Sequence, residues 1–392
     1  MARLSLLILN EKTPTLSSVR FAENKINKII KGWGFLKGDI HIICDKKFAE
    51  TSNVKNVRLH SVNITKSYKK GTFSYIVTHI LYFIKLFLKT VEVVKQYPDI
   101  NFIINVSGHF SIGLINTLVA NICHRKSFLR VTEDSQVALF YRKTERPMFS
   151  LIDRIIYSTS RLLEKISFKN ASRIISVTPA SVYSEHKFNN KIVFIPDIVE
   201  EVNLNSQIKI KNKTIIFAGR LEFEKGPLTF LKTIEELSKR RNDFEAVMIG
   251  SGSLEPVIRK YINNKRIEKI VTLIPSLTHE RFIDFLKKTY VLVVTSWMEA
   301  LSNIIIEALG CGVPVISSKT RGPSYLIRDG FNGFLFNIGD KEELIKFIDK
   351  ILDDEKLRGE MSINCRIIFK ELIEKEFGLN AVSKKYLSLL KN

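Results

Sequence analysis

The sequence predicts a two-domain α/β protein in which each domain is a doubly wound parallel sheet, and three observations carry that reading. The chain has 392 residues at 45% apolar content, enough for two domains of about 100 to 200 residues that each bury a core. Short runs rich in Ile, Val and Phe alternate with longer amphipathic stretches, as in successive βαβ units. The runs are apolar throughout instead of alternating with polar residues, which is how strands covered on both faces read.

In the first domain, residues 1–200, LSLLILN opens as a strand. A helical pattern to Gly34 follows, then DIHIIC, a long helix near residues 73–96, NFIINV, a further helix, FLRVTE and ASRIISVTP. KIVFIPDIVEEVNLNSQIKIKNK is rich in Asn and Lys and has the composition of an interdomain linker. The second domain, residues 201–370, repeats the alternation with TIIFAGR, a helix from Pro227, FEAVMIG, KIVTLIP, YVLVVTS, VPVIS and GFLF. A last helical pattern, Glu371 to Leu390, is expected to pack back so that residues 371–392 complete the first domain.

The opening MARLSLLILN runs directly into polar residues. Its apolar run is too short and too early for a cleaved export signal and reads as the first strand. Cys44, Cys123, Cys311 and Cys365 are far apart and lack CxxC or Cys/His ligand spacing, which fits a reducing cytosol. The formal charge is +21, with 30 Lys/Arg against 15 Asp/Glu in residues 1–200 and 31 against 25 in residues 201–392. Nucleic acid, anionic lipid and a phosphorylated substrate all satisfy such a balance. Zinc-finger spacing, an RNP-type aromatic strand and a basic-region heptad are all absent from the sequence, so no nucleic-acid partner is expected.

Four stretches carry chemistry. In TIIFAGRLEFEKGPLTF a strand ends at Gly219, and Arg220 and Lys225 precede a helix that starts at Pro227. Ligands of open α/β sheets bind beyond the carboxyl ends of the strands, and a helix N-terminus there favours an anion. Two cations beside it suit a diphosphate. In IGSGSLEP, Gly250 ends another strand, in either a tight turn or an anion-binding loop, and the third glycine of a dinucleotide fingerprint is missing. NVSGHF sets His109 at a first-domain strand end, in a structural or a substrate-contacting role. In MEALSNIIIEALGCGVPVIS, Glu299 follows the strand YVLVVTS, Ser302 or Asn303 caps a helix, and Glu307 lies about one turn into it. Backbone N–H groups at residues 301–303 then stand between two carboxylates, a mixture suited to a diphosphate bonded to polyol groups.

On GRLEFEKG (Gly219–Gly226), GSGSLEP, the E-x7-E element from Glu299 to Glu307 and GPSYLIRDGFNGFLF (Gly322–Phe336), the chain resembles the retaining glycosyltransferases of family 4. The resemblance is close over the second domain and rests on strand-helix order in the first. It implies the GT-B fold, two facing Rossmann-like domains with an interdomain cleft, and a hexosyltransferase activity. It further implies that Arg220 and Lys225 neutralise the diphosphate of a nucleotide-sugar donor, with Gly219 and Gly250 in the same site. Glu299 would hold donor-sugar hydroxyls, Glu307 the ribose diol, and the amides of Leu301, Ser302 and Asn303 would approach sugar and phosphate. His109 would stand near the transferred sugar on the acceptor side. No Asp-x-Asp triplet occurs, so neither metal nor other cofactor is expected and the leaving group falls to the two cations and helix dipoles. Three positions depart from the family pattern: NEKTPTLSSVRF replaces a Gly-Gly loop, Asp197-Ile198 replaces Asn-Gly, and Tyr325 replaces a Glu.

The segment Lys66 to Lys95 mixes aromatic and aliphatic residues with lysines. His79, Lys85 and Lys89 interrupt it as a transmembrane span. It suits an interfacial helix with snorkelling lysines, or a helix buried against the sheet with one basic face. A second basic amphipathic segment runs from Pro147 to Lys169. With the basic first half, these point to a cytoplasmic protein peripheral to the inner face of the plasma membrane and to a lipid-linked saccharide acceptor. A soluble saccharide acceptor is the alternative, and nucleic-acid binding a more distant one.

Overall fold

The computed structural model describes residues 5–10, 16–34, 38–54, 57–62, 72–106, 110–131, 151–179, 188–199 and 212–391. The chain divides into two compact units, Met1–Ile198 with Leu379–Asn392, and Val199–Gly378.

The first unit is built on seven parallel strands: β1 Ser5–Leu9, β2 Ile40–Asp45, β3 Arg58–Val62, β4 Ile100–Asn105, β5 Lys126–Val131, β6 Arg173–Ser176 and β7 Ile192–Phe194. Their order is β3-β2-β1-β4-β5-β6-β7, with Leu7 level with His41 on one side and Ile103 on the other. The pleat explains why SLLIL is apolar without a break. Leu6 and Ile8 face a core shared with Ile26, Ile29 and Trp33, while Leu7 and Leu9 face one shared with Leu86, Val93 and Ile115. Each face is roofed by helices, so neither can be polar. The helix Leu379–Lys391 packs on the helix Leu16–Gly32, and Tyr386 lies against the Trp33 ring at 4.6 Å.

The second unit holds β8 Thr214–Ala218, β9 Glu245–Ile249, β10 Val271–Ile274, β11 Val291–Val294, β12 Val315–Ser318 and β13 Gly333–Phe336. All are parallel in the order β10-β9-β8-β11-β12-β13. Ile215 and Phe217 pack with Phe230, Ile234 and Leu237 of the helix Pro227–Ser238 and with Leu344 and Ile348 of the helix Lys341–Asp353. Pro227 sits in the first turn, where its missing N–H costs nothing.

Three details differ from the sequence reading. The expected order omits β3 and gives the β7 residues to the linker. Both are edge or near-edge strands with few buried residues, so neither shows the unbroken apolar run that marks the central strands. The C-terminal pattern is not one helix. Glu355–Leu372 is followed by a π-helical turn, Ile373–Phe377, and the chain rejoins the first unit only from Leu379, after Gly378 leaves the helix in an extended conformation. All four cysteines are free thiols, three of them buried.

Candidate functional site

The carboxyl ends of β8 and β9 define the site in the second unit. Past β8, the Gly219 N–H donates to the Ile249 carbonyl at 3.0 Å and the Leu221 N–H to Ser251 at 2.9 Å, so the two chains stay paired beyond the strands. They can run this close because Gly250 has φ 150° and no side chain; a Cβ there would stand 1.9 Å from the Gly219 carbonyl oxygen. At this point a cavity of about 240 Å3 opens, lined by Gly219, Arg220, Gly250 and Ser251 on one side. Ser276 and Leu277 after β10, Phe282 and Ile304 form the rest of the wall. Ser251 Oγ lies 3.0 Å from Ser276 Oγ. The walls therefore offer backbone and hydroxyl groups together with the apolar surface of Leu277, Phe282 and Ile304.

The loop after β8 is fixed to the loop after β11. A 3-10 turn, Phe223–Lys225, ends on Gly226 in the left-handed region at φ 66°. A Cβ on Gly226 would meet the Thr295 carbonyl oxygen at 2.2 Å, and Thr295 Oγ1 donates to the Gly226 carbonyl at 2.8 Å. The Trp297 N–H donates to the Glu224 carbonyl at 2.9 Å, and its ring stacks on Phe223 at 5.8 Å. Glu222 accepts from both the N–H and the hydroxyl of Ser253. The hydroxyl bond is the main reason its carboxyl is held below the usual range.

This clamp sets Lys225 beside Glu299, with Nζ 2.7 Å from Oε2 and both side chains mostly buried. Ser296 Oγ donates to the same carboxylate oxygen at 3.0 Å. Arg220 is more open, at 63% exposure, and is paired with Glu224 at 2.6 Å. The helix Asn303–Cys311 follows with Ser302 at its N-cap, but the Ser302 hydroxyl makes no capping bond. The Ser302 carbonyl accepts from the Ile305 and Ile306 N–H groups at 3.1 and 3.2 Å. The amides of the first turn are thus left without the side-chain partner such a serine ordinarily gives. Glu307, one turn on from Ile304, meets His279 Nε2 at 3.1 Å.

The predicted residues fall into distinct places. Gly219, Arg220 and Gly250 line the cavity. Lys225 and Glu299 are bonded to each other, Leu301, Ser302 and Asn303 form the entrance to the helix, and Glu307 is bonded to His279. His109 lies outside the described residues. Sequence reasoning did not single out Ser251, Ser276, Leu277, Phe282, Ile304, Ser296 or His279. Ser251 and Ile304 sat in quoted motifs and Ser296 at the end of a quoted strand, but none stood out there; the apolar wall residues read as ordinary faces of amphipathic helices and strand ends.

The two doubly wound parallel-sheet units have the strand and helix architecture of the GT-B fold. A crystal structure of Anabaena HepE in complex with UDP superposes with a TM-score of 0.72, at 16% identity, over 99% of this chain and all of that one. Residues 200–367 match the family model described as glycosyl transferases group 1. Among curated relatives, an uncharacterized glycosyltransferase of Haemophilus influenzae is 25% identical over 57% of this chain and 63% of its own. The Campylobacter jejuni GalNAc-alpha-(1->4)-GalNAc-alpha-(1->3)-diNAcBac-PP-undecaprenol alpha-1,4-N-acetyl-D-galactosaminyltransferase is 26% identical over 59% of this chain and 63% of its own. The match thus spans somewhat under two thirds of either relative's length.

Proposed function

We propose that the protein is a retaining glycosyltransferase that moves a sugar from a nucleotide-diphosphate sugar to a lipid-linked saccharide at the inner face of the cytoplasmic membrane. The observation that carries the reading is the cavity at the ends of β8 and β9, lined by Arg220 and by Ile304 of the first turn of the helix Asn303–Cys311, which carries Glu307 one turn further on, while the loop after β8 holds Lys225 against Glu299. Its apolar wall, Leu277, Phe282 and Ile304, suits a nucleobase face, and Glu307 suits the ribose diol. Arg220, Lys225 and the amides of Leu301, Ser302 and Asn303 suit the diphosphate, with Gly219 and Gly250 letting it approach the backbone. Glu299 accepts from the donor-sugar hydroxyls, and His109 serves the acceptor side.

In the transfer, the bond from the anomeric carbon to the diphosphate oxygen breaks and its electron pair stays on that oxygen, where the two cations hold the charge. The acceptor hydroxyl oxygen bonds to the same carbon on the same face and its proton passes to the leaving diphosphate. Bound metal has no role in this reading, so chelator should leave the rate unchanged. The printed name of the Campylobacter relative, with its PP-undecaprenol-linked saccharide, supports the choice of acceptor.

The decisive experiment is a panel of nucleotide sugars tested by thermal shift, since a ligand bound by the folded state raises the midpoint by mass action. UDP-sugars come first because HepE was crystallised with UDP. A shift with at least one donor, lost in Lys225→Ala, is expected; no shift with any of them overturns the reading. Transfer to a lipid-linked but not a soluble saccharide is the corresponding test of the acceptor.

A further inference from the structure

We propose that the outward face of the helix Thr72–Gln96, from Leu81 to Lys95, is a docking surface for an anionic phospholipid bilayer. The helix is two-sided. Tyr82, Leu86 and Val93 are buried against the sheet, whereas Leu81, Ile84 and Leu88 stand 52, 46 and 59% exposed. Their spacing of three and four puts them on one face, with Lys85 between them and Lys95 in the last turn; Lys89 beside them is paired with the exposed Glu92 at 2.6 Å. Single exposed aliphatic residues are ordinary on a protein surface, but three adjacent ones on one helix face are not.

Charge decides the occupant. The first unit, which contains this helix, has 33 Lys/Arg against 14 Asp/Glu, a net +19; the second has 28 against 26, a net +2. Nearly all of the protein's charge lies in the unit that displays the aliphatic stripe. A nucleic acid satisfies the charge and leaves the stripe in water. A neutral protein surface covers the stripe and leaves the charge unanswered. An anionic bilayer takes both: the aliphatic side chains enter the acyl boundary, lysine stems lie along it and their ammonium groups stay among the headgroups. Among the described residues no helix is long and apolar enough to cross a membrane, so attachment through this face is peripheral. The inference deepens the lipid-linked-acceptor reading and rests on it for its purpose, since docking holds the enzyme where such an acceptor resides.

The test is sedimentation of the full chain with vesicles of phosphatidylglycerol and phosphatidylcholine, against vesicles of phosphatidylcholine alone. The chain should pellet with the anionic vesicles. The triple variant Leu81→Gln/Ile84→Gln/Leu88→Gln should lose at least about tenfold in partitioning while keeping its thermal midpoint. Ile84→Trp should show a blue shift of emission on vesicle addition. A triple variant that pellets like the parent, an Ile84→Trp emission that does not move, or retention on RNA without vesicle binding overturns the proposal. The nucleotide-sugar thermal shift on the same preparation separates the two readings. A chain stabilised by a donor that ignores vesicles sinks the docking face alone; one that pellets but answers to no donor keeps the face and sinks the transfer reading.

Discussion

The two units share a strand order and use the carboxyl ends of their sheets in opposite ways. In the second, the chains leaving β8 and β9 run side by side past two glycines and a cavity opens beside them. In the first, the ends of β4, β5 and β7 are knitted together. Asn105 and Arg130 exchange hydrogen bonds at 2.8 and 2.9 Å, and Asn116 bridges Asn105 and Phe128. The fully buried Arg130 guanidinium donates to the Val106 carbonyl and to Asp197. Burial alone would raise the Asp197 carboxyl, but Arg130, Lys28 and Lys25 outweigh it and hold the group below its usual range. One sheet end turns its polar groups outward where a ligand can reach them; the other turns them on each other.

The largest effect should come from breaking the inward network. Arg130→Leu leaves Asp197 without its counter-charge and should cost about 3–5 kcal/mol in denaturant unfolding, while Arg130→Leu/Asp197→Leu should recover most of that. A double variant no more stable than the single would remove the basis of the contrast. Next comes the open end: Gly250→Ala forces a Cβ against the Gly219 carbonyl at a disfavoured φ and should cost about 1–3 kcal/mol. It should also abolish the nucleotide-sugar thermal shift. Gly359→Ala, in the helix Glu355–Leu372 with nothing within 4 Å of the added Cβ, is the matched control and should be neutral or slightly stabilising.

Lys225→Ala and Glu307→Ala should each slow transfer by more than about tenfold, the worth of one charge-assisted contact, with the fold intact by circular dichroism. Near-parental turnover in either would detach that residue from the chemistry.

The smallest effect concerns a feature of the first unit alone, since the second carries a single histidine, His279. His41 Nδ1 and His60 Nε2 are 2.9 Å apart in stacked rings. Burial, then the neighbouring His41, pushes His60 from 6.5 down to about 4; burial and then Arg58 lower His41 as well. The unfolded chain therefore binds protons that the folded one refuses, so stability is full above pH 6.5 and is lost as pH falls toward 4. A thermal midpoint followed over that range should decline less steeply in His60→Gln than in the parent.

How much was legible follows from range along the chain. Central strands announced themselves because burial on both faces forces an unbroken apolar run, and Pro227 and Ser302 marked helix starts through local backbone chemistry. The residue types at the site were legible for the same local reason. Their partners were not. Lys225 meets Glu299 across 74 positions and His279 meets Glu307 across 28, and no periodicity connects them. The cation and carboxylate assigned to different parts of a donor turn out to be in direct contact, a relation only the clamp between the two loops creates. The long helix of the first unit was ambiguous in sequence between buried and interfacial because its apolar residues lie on two sides, one against the sheet and one in solvent.

Trp33 and Tyr386 stack from near opposite ends of the sequence, and everything between residues 199 and 378 belongs to the other unit. During synthesis the second unit can close its sheet as soon as its own residues have emerged, whereas the first waits with Trp33 uncovered until residues 379–391 arrive. The part encoded first is completed last, and a ribosome stalled late in the message would present a finished second unit together with an unfinished, sticky first one.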